Sequence, residues 1–500
     1  MLNHLKPLLK DTAIYALGNI SGKIVGLILL PFYVDKLTTA EYGMLGALEA
    51  TFQLIVAFTG LNLYVAFTRW YWNKEIRDRQ RSVFFTTLFS VLLLVVFVVG
   101  CIYPIASPIS RLLFDSGEYS YLIRLMSFAA GLEVVCQIPA TLCKMQRKPI
   151  IYTRNIIIRL TVVLLLTIWL VVFCDRKVEG IYEAQVIGAA LYLLLFLPYI
   201  LKNTVVRFEA AVLKKMLNFA FPLMLSSSFA VILSIADRYS LTFISGLASV
   251  GIYSLGFKLA NTLKIFVVTS VQLALVPTIF QMADKPEIKR FLSKVLTYFT
   301  FGLMFFVIGF SLFGQEIIKI LTIGRPDYWD AYYVIPFIAF GIVFGMMKDT
   351  ASYGLQIVNR TGIMASVIAV ISILNIALNI LLIPLMGAIG AGLSTLLSQI
   401  IYFGVMFYYA QRYFPVPYEM RKVIISIVLG MLFCVVAYLI RQWDLGWRLT
   451  VKMLLLFSYP FILYLFGFYE KVELQALSGF WVKWKNPGSW KKNIKALKFD

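Results

Sequence analysis

Ser254, Lys258, Asn261, Thr262, Thr269 and Gln272 recur at helical spacing through an otherwise apolar run. At 100° per residue they share less than a third of a helix circumference. Lys264 and Tyr253 widen the stripe, and Leu259, Leu263, Phe266 and Val267 hold the opposite face. An earlier run repeats the pattern with Tyr15, Asn19, Gly22, Lys23 and Gly26. Another carries Gly46, Glu49, Gln53 and Gly60, and a third Ser227, Ser234 and Arg238 with Asp237 alongside. Ammonium, guanidinium, amide and hydroxyl groups in such stripes bind a polar or charged guest; they do not break bonds. The single histidine, His4, stands in the N-terminal leader, and Cys101, Cys136, Cys143, Cys174 and Cys434 are scattered with no CxxC spacing. No His-based metal site or general base is available, and neither a catalytic residue nor a cofactor is expected.

The elements that carry these stripes are membrane spans. Of 500 residues, 60% are hydrophobic and 14% charged, and the mean hydropathy of +0.84 lies far outside the range of soluble domains. Apolar runs of about 20 residues, enough to cross the hydrocarbon, recur fourteen times. The first, from Thr12 to Val34, lacks a small-residue cleavage site and reads as a retained span. An even number of spans puts both ends on one side. With that side cytoplasmic, about two thirds of the 46 basic residues fall in the two termini and in inner connections such as RWYWNKEIRDRQR (69–81) and KNTVVRFEAAVLKK (202–215). The outer connections are short, the longest being 106–119 and 315–329. The net charge of +21 therefore belongs to the membrane surface, and no nucleic acid partner is expected. The tail 470–500 interleaves lysines with Trp481, Trp484 and Trp490 and reads as an interfacial anchor on anionic lipid.

LTTAEYG (37–43) after the first span and LASVGIY (247–253) after the seventh are similar tight hairpins with Gly opening the next helix. They mark a parallel repeat of six spans with its axis along the membrane normal. The chain then divides into 1–215, 216–413, an extra helix pair in 414–469, and the basic tail.

A charge at the centre of a span costs about 2.5–3.5 kcal/mol on insertion scales, so such groups turn to the bundle interior or to a wet cavity. Lys23 stands about 16 Å from its helix end by the 1.5 Å rise per residue, close to the midplane. Deep bases (Lys23, Arg124, Arg159, Arg238, Lys258, Lys264) outnumber deep acids (Glu49, Glu133, Asp237), so complete pairing leaves cations over. Arg124 and Arg159, near helix ends, read as paired or snorkelling. A cavity with surplus positive charge favours an anionic passenger, and phosphate suits lysine. Asn19, Gln53, Asn261, Thr262 and Gln272 would line it. Glu49 and Asp237 either couple transport to protons or sodium or neutralise neighbouring bases.

Two blocks carry a family resemblance. One is Tyr15, Gly18, Lys23, Pro31, Tyr33, Leu37, Thr38, Glu41, Tyr42 and Gly43; the other is Pro222, Asp237, Arg238, Gly251, Ile252, Tyr253 and Lys258. In their order and spacing the chain resembles the polysaccharide flippases, the O-antigen and capsule repeat-unit exporters of the MATE-like superfamily that also contains the lipid II flippase. The resemblance implies an all-α membrane fold with two six-helix lobes around a central cavity and an extra pair forming a lipid-facing groove. It also implies a bacterial inner-membrane protein, termini cytoplasmic, that passes undecaprenyl-diphosphate-linked oligosaccharide outward by alternating access, alongside polysaccharide polymerase and glycosyltransferases. In that reading Lys23, Lys258, Lys264 and Arg238 hold the diphosphate, while Asn19, Gln53 and Asn261 bond sugar hydroxyls and the polyprenyl tail stays in membrane lipid. Two rivals remain. A MATE-type drug or cation antiporter should place carboxylates on these stripes, and a polytopic glycosyltransferase or polymerase should carry a large outer loop.

Overall fold

The computed structural model describes residue 18, residues 20–322, 324–470 and 474–475. Asn19, Tyr15, His4 and the lysine- and tryptophan-rich tail lie outside the described residues. Every described element is a helix, because in hydrocarbon each backbone N–H and C=O must find its partner within the segment. Helix α1 (20–28) gives way at Leu29 to α2 (Leu30–Lys36). There follow α3 (Thr39–Thr59), α4 (Leu63–Tyr71), α5 (Gln80–Phe114), α6 (Ser120–Met145), α7 (Pro149–Ile168) and α8 (Lys177–Asn203). Then come α9 (Ala210–Ile244), α10 (Leu247–Leu263), a π-helical segment (Lys264–Thr269), α11 (Ser270–Gln281) and α12 (Ile288–Leu321). The series ends with α13 (Ala331–Ile357), α14 (Thr361–Tyr413), α15 (Met420–Leu439) and α16 (Leu445–Leu465).

Twelve of the described helical stretches are long and apolar enough to cross a membrane. Counting α14 as two spans and adding the first span gives the fourteen read from the sequence. What divides α14 is Gly387, with φ 54° and ψ −128°, a conformation closed to side chains with a Cβ. Gly387→Ala is expected to cost about 1–3 kcal/mol, read as a lower Tm than that of Gly404→Ala, where an added Cβ meets nothing within 4 Å. The connections expected at 106–119 and 315–329 are shorter than the sequence suggests. Helix α5 runs through Pro104 and Pro108 to Phe114, and α12 continues to Leu321. Proline is tolerated in membrane helices when neighbouring groups take up the freed carbonyls, so it did not end α5 where the sequence pointed.

The chain folds as two compact units, residues 1–285 with 314–415, and 286–313 with 416–500. In the smaller, Gly430 of α15 admits Met304 and Ile308 of α12. There Lys294 bonds Glu419 at 2.7 Å and also pairs with Glu470.

In the larger unit the two hairpins meet. Thr38 and Glu41 form a capping box, Thr38 Oγ1 accepting from the Glu41 amide at 3.2 Å and Glu41 Oε2 from the Thr38 amide at 2.8 Å. It starts α3 so that Gly43 lies against the Leu247 carbonyl, while Gly251 of α10 lies against the Thr39 carbonyl. One sequence offset relates Gly43 to Gly251, Thr39 to Leu247, and Gly46 to Ser254, a third contact of the same seam. Such reciprocal contacts are what a two-fold relation between repeats produces. The same offset carries the break at Gly60, Leu61 and Asn62, where Leu61 and Asn62 have positive φ, onto the end of the π segment. Beside the seam, Arg325 donates to the carbonyls of Asp35 (2.8 Å) and Leu37 (3.0 Å), and the buried Tyr328 hydroxyl donates to Leu37 at 2.9 Å.

Candidate functional site

Below this seam α1, α3, α9 and α10 surround a cavity of about 340 Å³. Lys23, Glu49, Gln53, Arg238, Lys258, Asn261 and Thr262 all line it, with Gly22, Gly26 and Gly46 keeping its walls thin. Helices α1, α3 and α10 turn Lys23, Glu49, Gln53, Lys258, Asn261 and Thr262 here and α9 adds Arg238, as the cost of exposing charge to lipid favours.

Three cations face one acid. Lys258 Nζ lies 3.4 Å from Glu49 Oε1, a loose pair beside the 2.7–2.9 Å usual for charge-assisted bonds. Arg238 is 6% exposed, its guanidinium 4.9 Å over the Phe257 ring and its Nε without a hydrogen-bond partner. Neither Arg238 nor Lys23 has a carboxylate within ion-pair distance among the described residues; both act on Glu49 only through the longer-range field, along with Lys258. The chamber is therefore positive, with donors on Gln53 and Asn261 at hand.

Asp237, one residue before Arg238, points the other way. Its carboxylate accepts from Tyr253 Oη (2.5 Å), Thr395 Oγ1 (2.5 Å) and Asn379 Nδ2 (2.8 Å). Asn375 Oδ1 accepts from the same Asn379 amide at 3.3 Å, and Asn379 Oδ1 is buried with no donor. Asp237 is thus enclosed in polar protein on α9, α10 and α14, and it neutralises no cation of the chamber. Asp237→Asn replaces one of the two oxygens that three donors share with an NH2 group, which sets a donor against donors. Leaving buried donors unmatched costs about 1–3 kcal/mol each, so a clear fall in Tm is expected, and an unchanged Tm would show that the cluster is dispensable.

Lys264 and Gln272 are not brought to the chamber. Gln272 Nε2 donates to Asp349 Oδ2 at 3.2 Å, and Lys264 lies in the field of Asp349, Lys348 and Lys23. Lys348 pairs with Asp349 at 2.5 Å and sits 4.7 Å over the Tyr402 ring. For Gln272 the cause is the intervening π segment, whose turns hold more than 3.6 residues, so a stripe projected at the α-helical 100° drifts off the face; Lys264 only opens that segment, and six residues at 100° already set it 120° from Lys258. Lys348 and Asp349 escaped the sequence reading; a KDT triplet inside the apolar run of α13 was the available signal.

Comparison with known proteins places this geometry. A family described as polysaccharide biosynthesis protein matches residues 8–283. An uncharacterized membrane protein of Methanocaldococcus jannaschii is 24% identical over 236 residues, 47% of this chain and 46% of that one. An uncharacterized membrane protein of Haemophilus influenzae is 23% identical over 289 residues, 56% of this chain and 67% of its own length. The chain thus spans under half of the first relative and about two thirds of the second. Among solved structures, the lipid II flippase MurJ in an inward closed conformation superposes with a TM-score of 0.72 at 14% identity, covering 90% of this chain and 98% of that one. An inward-facing multidrug MATE transporter gives 0.66 at 13% identity, covering 80% and 94%. The fold is of the kind these transporters share.

Proposed function

From the premise that this chain belongs to the polysaccharide biosynthesis protein family, we propose that it is a flippase carrying undecaprenyl-diphosphate-linked oligosaccharide from the inner to the outer leaflet of a bacterial cytoplasmic membrane. The observation that carries the reading is the chamber in which Lys23, Arg238 and Lys258 face Glu49 alone. Unneutralised charge in a low-dielectric site is held at a cost, and a diphosphate offsets that cost by replacing lost hydration. A cationic drug would meet repulsion in the same place.

In this reading the moving parts are the six-span halves 1–215 and 216–413, with 414–469 against lipid. The termini and the basic connections face the cytoplasm, so the seam of Gly43 and Gly251 closes the outer side. Diphosphate in the chamber relieves repulsion between Lys23 on the first half and Arg238 and Lys258 on the second. Occupancy thereby biases the equilibrium toward the state in which the halves draw together around the substrate. Lys264 adds positive field further along the eighth span. The enclosed Asp237, with Asn379 Oδ1 unsatisfied beside it, is the better placed of the two acids to take a coupling cation.

The test is transport. Proteoliposomes containing the purified protein and an undecaprenyl diphosphate oligosaccharide should deliver the sugar to the outer leaflet, scored by lectin or glycosidase access. Undecaprenyl phosphate without sugar and a cationic dye serve as competitors. Movement of the dye with no movement of the lipid-linked sugar would replace this reading with drug export.

A further inference from the structure

A second and larger cavity, about 660 Å³, lies within the first six spans, on the side of the bundle away from the hairpin seam. It falls in the roughly 300–1,000 Å³ range of small-molecule sites. Its walls come from α4 (Tyr64, Thr68), the last turns of α6 (Glu133 to Met145), the first turns of α7 (Tyr152 to Arg159) and Tyr192 of α8. Cys136, Cys143 and Phe196, all buried, back the wall behind Tyr152 and Tyr192 and fix it in place.

The polar groups here differ in kind from those of the cation chamber. Arg159 Nη2 and Glu133 Oε2 pair at 2.6 Å, each side chain partly open to the cavity at 18% and 30% exposure. The Arg159 guanidinium also lies 5.2 Å from the Tyr192 ring. Lys144 Nζ stands 4.7 Å over the Tyr152 ring and has no acid partner among the described residues. Gln137 and Thr141 complete the lining. A site for bare phosphate needs converging cations and no aromatic walls. Here tyrosine faces, an amide, hydroxyls and a fixed carboxylate–guanidinium edge surround one unpaired ammonium. The Tyr64 ring, 38% exposed, is open to the C–H face of a pyranose, while the buried Tyr152 and Tyr192 rings seat Lys144 and Arg159, and the Glu133–Arg159 edge offers an acceptor and a donor side by side to vicinal hydroxyls. Lys144 then stands ready for a carboxylate.

We propose that this cavity is a saccharide subsite that takes an acidic sugar residue, of the uronic-acid class, with Lys144 as the residue selecting the acid. The proposal rests on the flippase reading for where the sugar comes from, and the two sites are adjacent enough to share one substrate. Gly18 of the first span lies against Tyr152 and Ile156 of this cavity, and Gly22 and Lys23, about a turn further, line the cation chamber. Under the orientation proposed above, the sugar cavity opens on the loading side.

The experiment uses the full-length protein in nanodiscs and three soluble probes: cellobiuronic acid, cellobiose and inorganic phosphate. Cellobiuronic acid should bind about tenfold or more tightly than cellobiose, and Lys144→Gln should erase that preference while Lys144→Arg keeps it, as loss of one charge-assisted contact predicts. Arg159→Gln should weaken both disaccharides. Equal binding of acid and neutral sugar by the wild-type protein, a preference that survives Lys144→Gln, or phosphate competing as well as the acidic sugar would each overturn the proposal. Undecaprenyl diphosphate binding is measured in parallel. Its absence would overturn the flippase reading, whereas the disaccharide comparison decides the sugar subsite by itself.

Discussion

Replacing Lys23, Arg238 and Lys258 together by Gln is expected to abolish delivery of lipid-linked sugar while the protein still inserts and folds. Each of the three is a cation that the protein leaves without a tight acid partner, so its removal costs the fold little and the substrate much. A hydrogen bond to a charged group contributes about 1.5–3 kcal/mol, or roughly ten- to a hundredfold in affinity. Three such losses put the diphosphate beyond useful binding. Single variants should therefore fall by about tenfold or more, and Lys264→Gln, outside the chamber, by less. The decisive comparison is export by the triple variant against wild type at equal membrane abundance. Undiminished export would reject the chamber as the headgroup site. Glu49→Gln sharpens the test: it leaves Lys258 unpaired, so it should strengthen binding of the anion and slow its release.

Gly43→Leu should hold the outer seam open. A Cβ at Gly43 overlaps the Leu247 carbonyl, a main-chain atom that no rotamer change can move aside. Overpacking of this kind costs about 1–3 kcal/mol and more where backbone must shift. Because the strain exists only while α3 and α10 touch, it acts on the equilibrium between seam-closed and seam-open states. A penalty of about 3 kcal/mol changes that ratio by roughly a hundredfold. The readout is Ser254→Cys in a cysteine-free background, buried in the seam at 5% exposure. Its reaction with a membrane-impermeant maleimide should quicken by about that factor when Gly43→Leu is added. An unchanged rate would mean that the seam does not open during labelling.

Several parts of the site were legible in the sequence for one reason: α3 and α10 are regular where they meet the cavity. Their polar residues keep 3.6-residue spacing, so Glu49, Gln53, Lys258, Asn261 and Thr262 could be placed on a shared side by periodicity alone. Adjacency did the same for Asp237 and Arg238, whose side chains must diverge by 100° and do. Legibility stopped where regularity stops. The π segment uncoupled Gln272 from the stripe, and nothing in KIFVVT announces wider turns, whereas Lys264 stands at the edge of the stripe by α spacing itself. The oxygen cluster around Asp237 draws Asn375, Asn379 and Thr395 from spans far along the chain, and single amides and hydroxyls in apolar helices carry no signal of their own. The sugar cavity was missed for another reason. Arg159 is expected near a helix end, paired or snorkelling, and Glu133 simply as a deep acid; both stand at mid-helix, in α7 and α6, and their pairing with each other leaves them in a cavity wall.

Arg325 and Tyr328 grip the end of α2 and the turn into α3 by main-chain oxygens, at Asp35 and Leu37. A clasp on the peptide backbone is indifferent to side-chain identity. The side chain at position 35 can therefore change in charge or bulk without loosening the fastening. Insertions and deletions there are another matter, since a single added residue would carry both oxygens out of register.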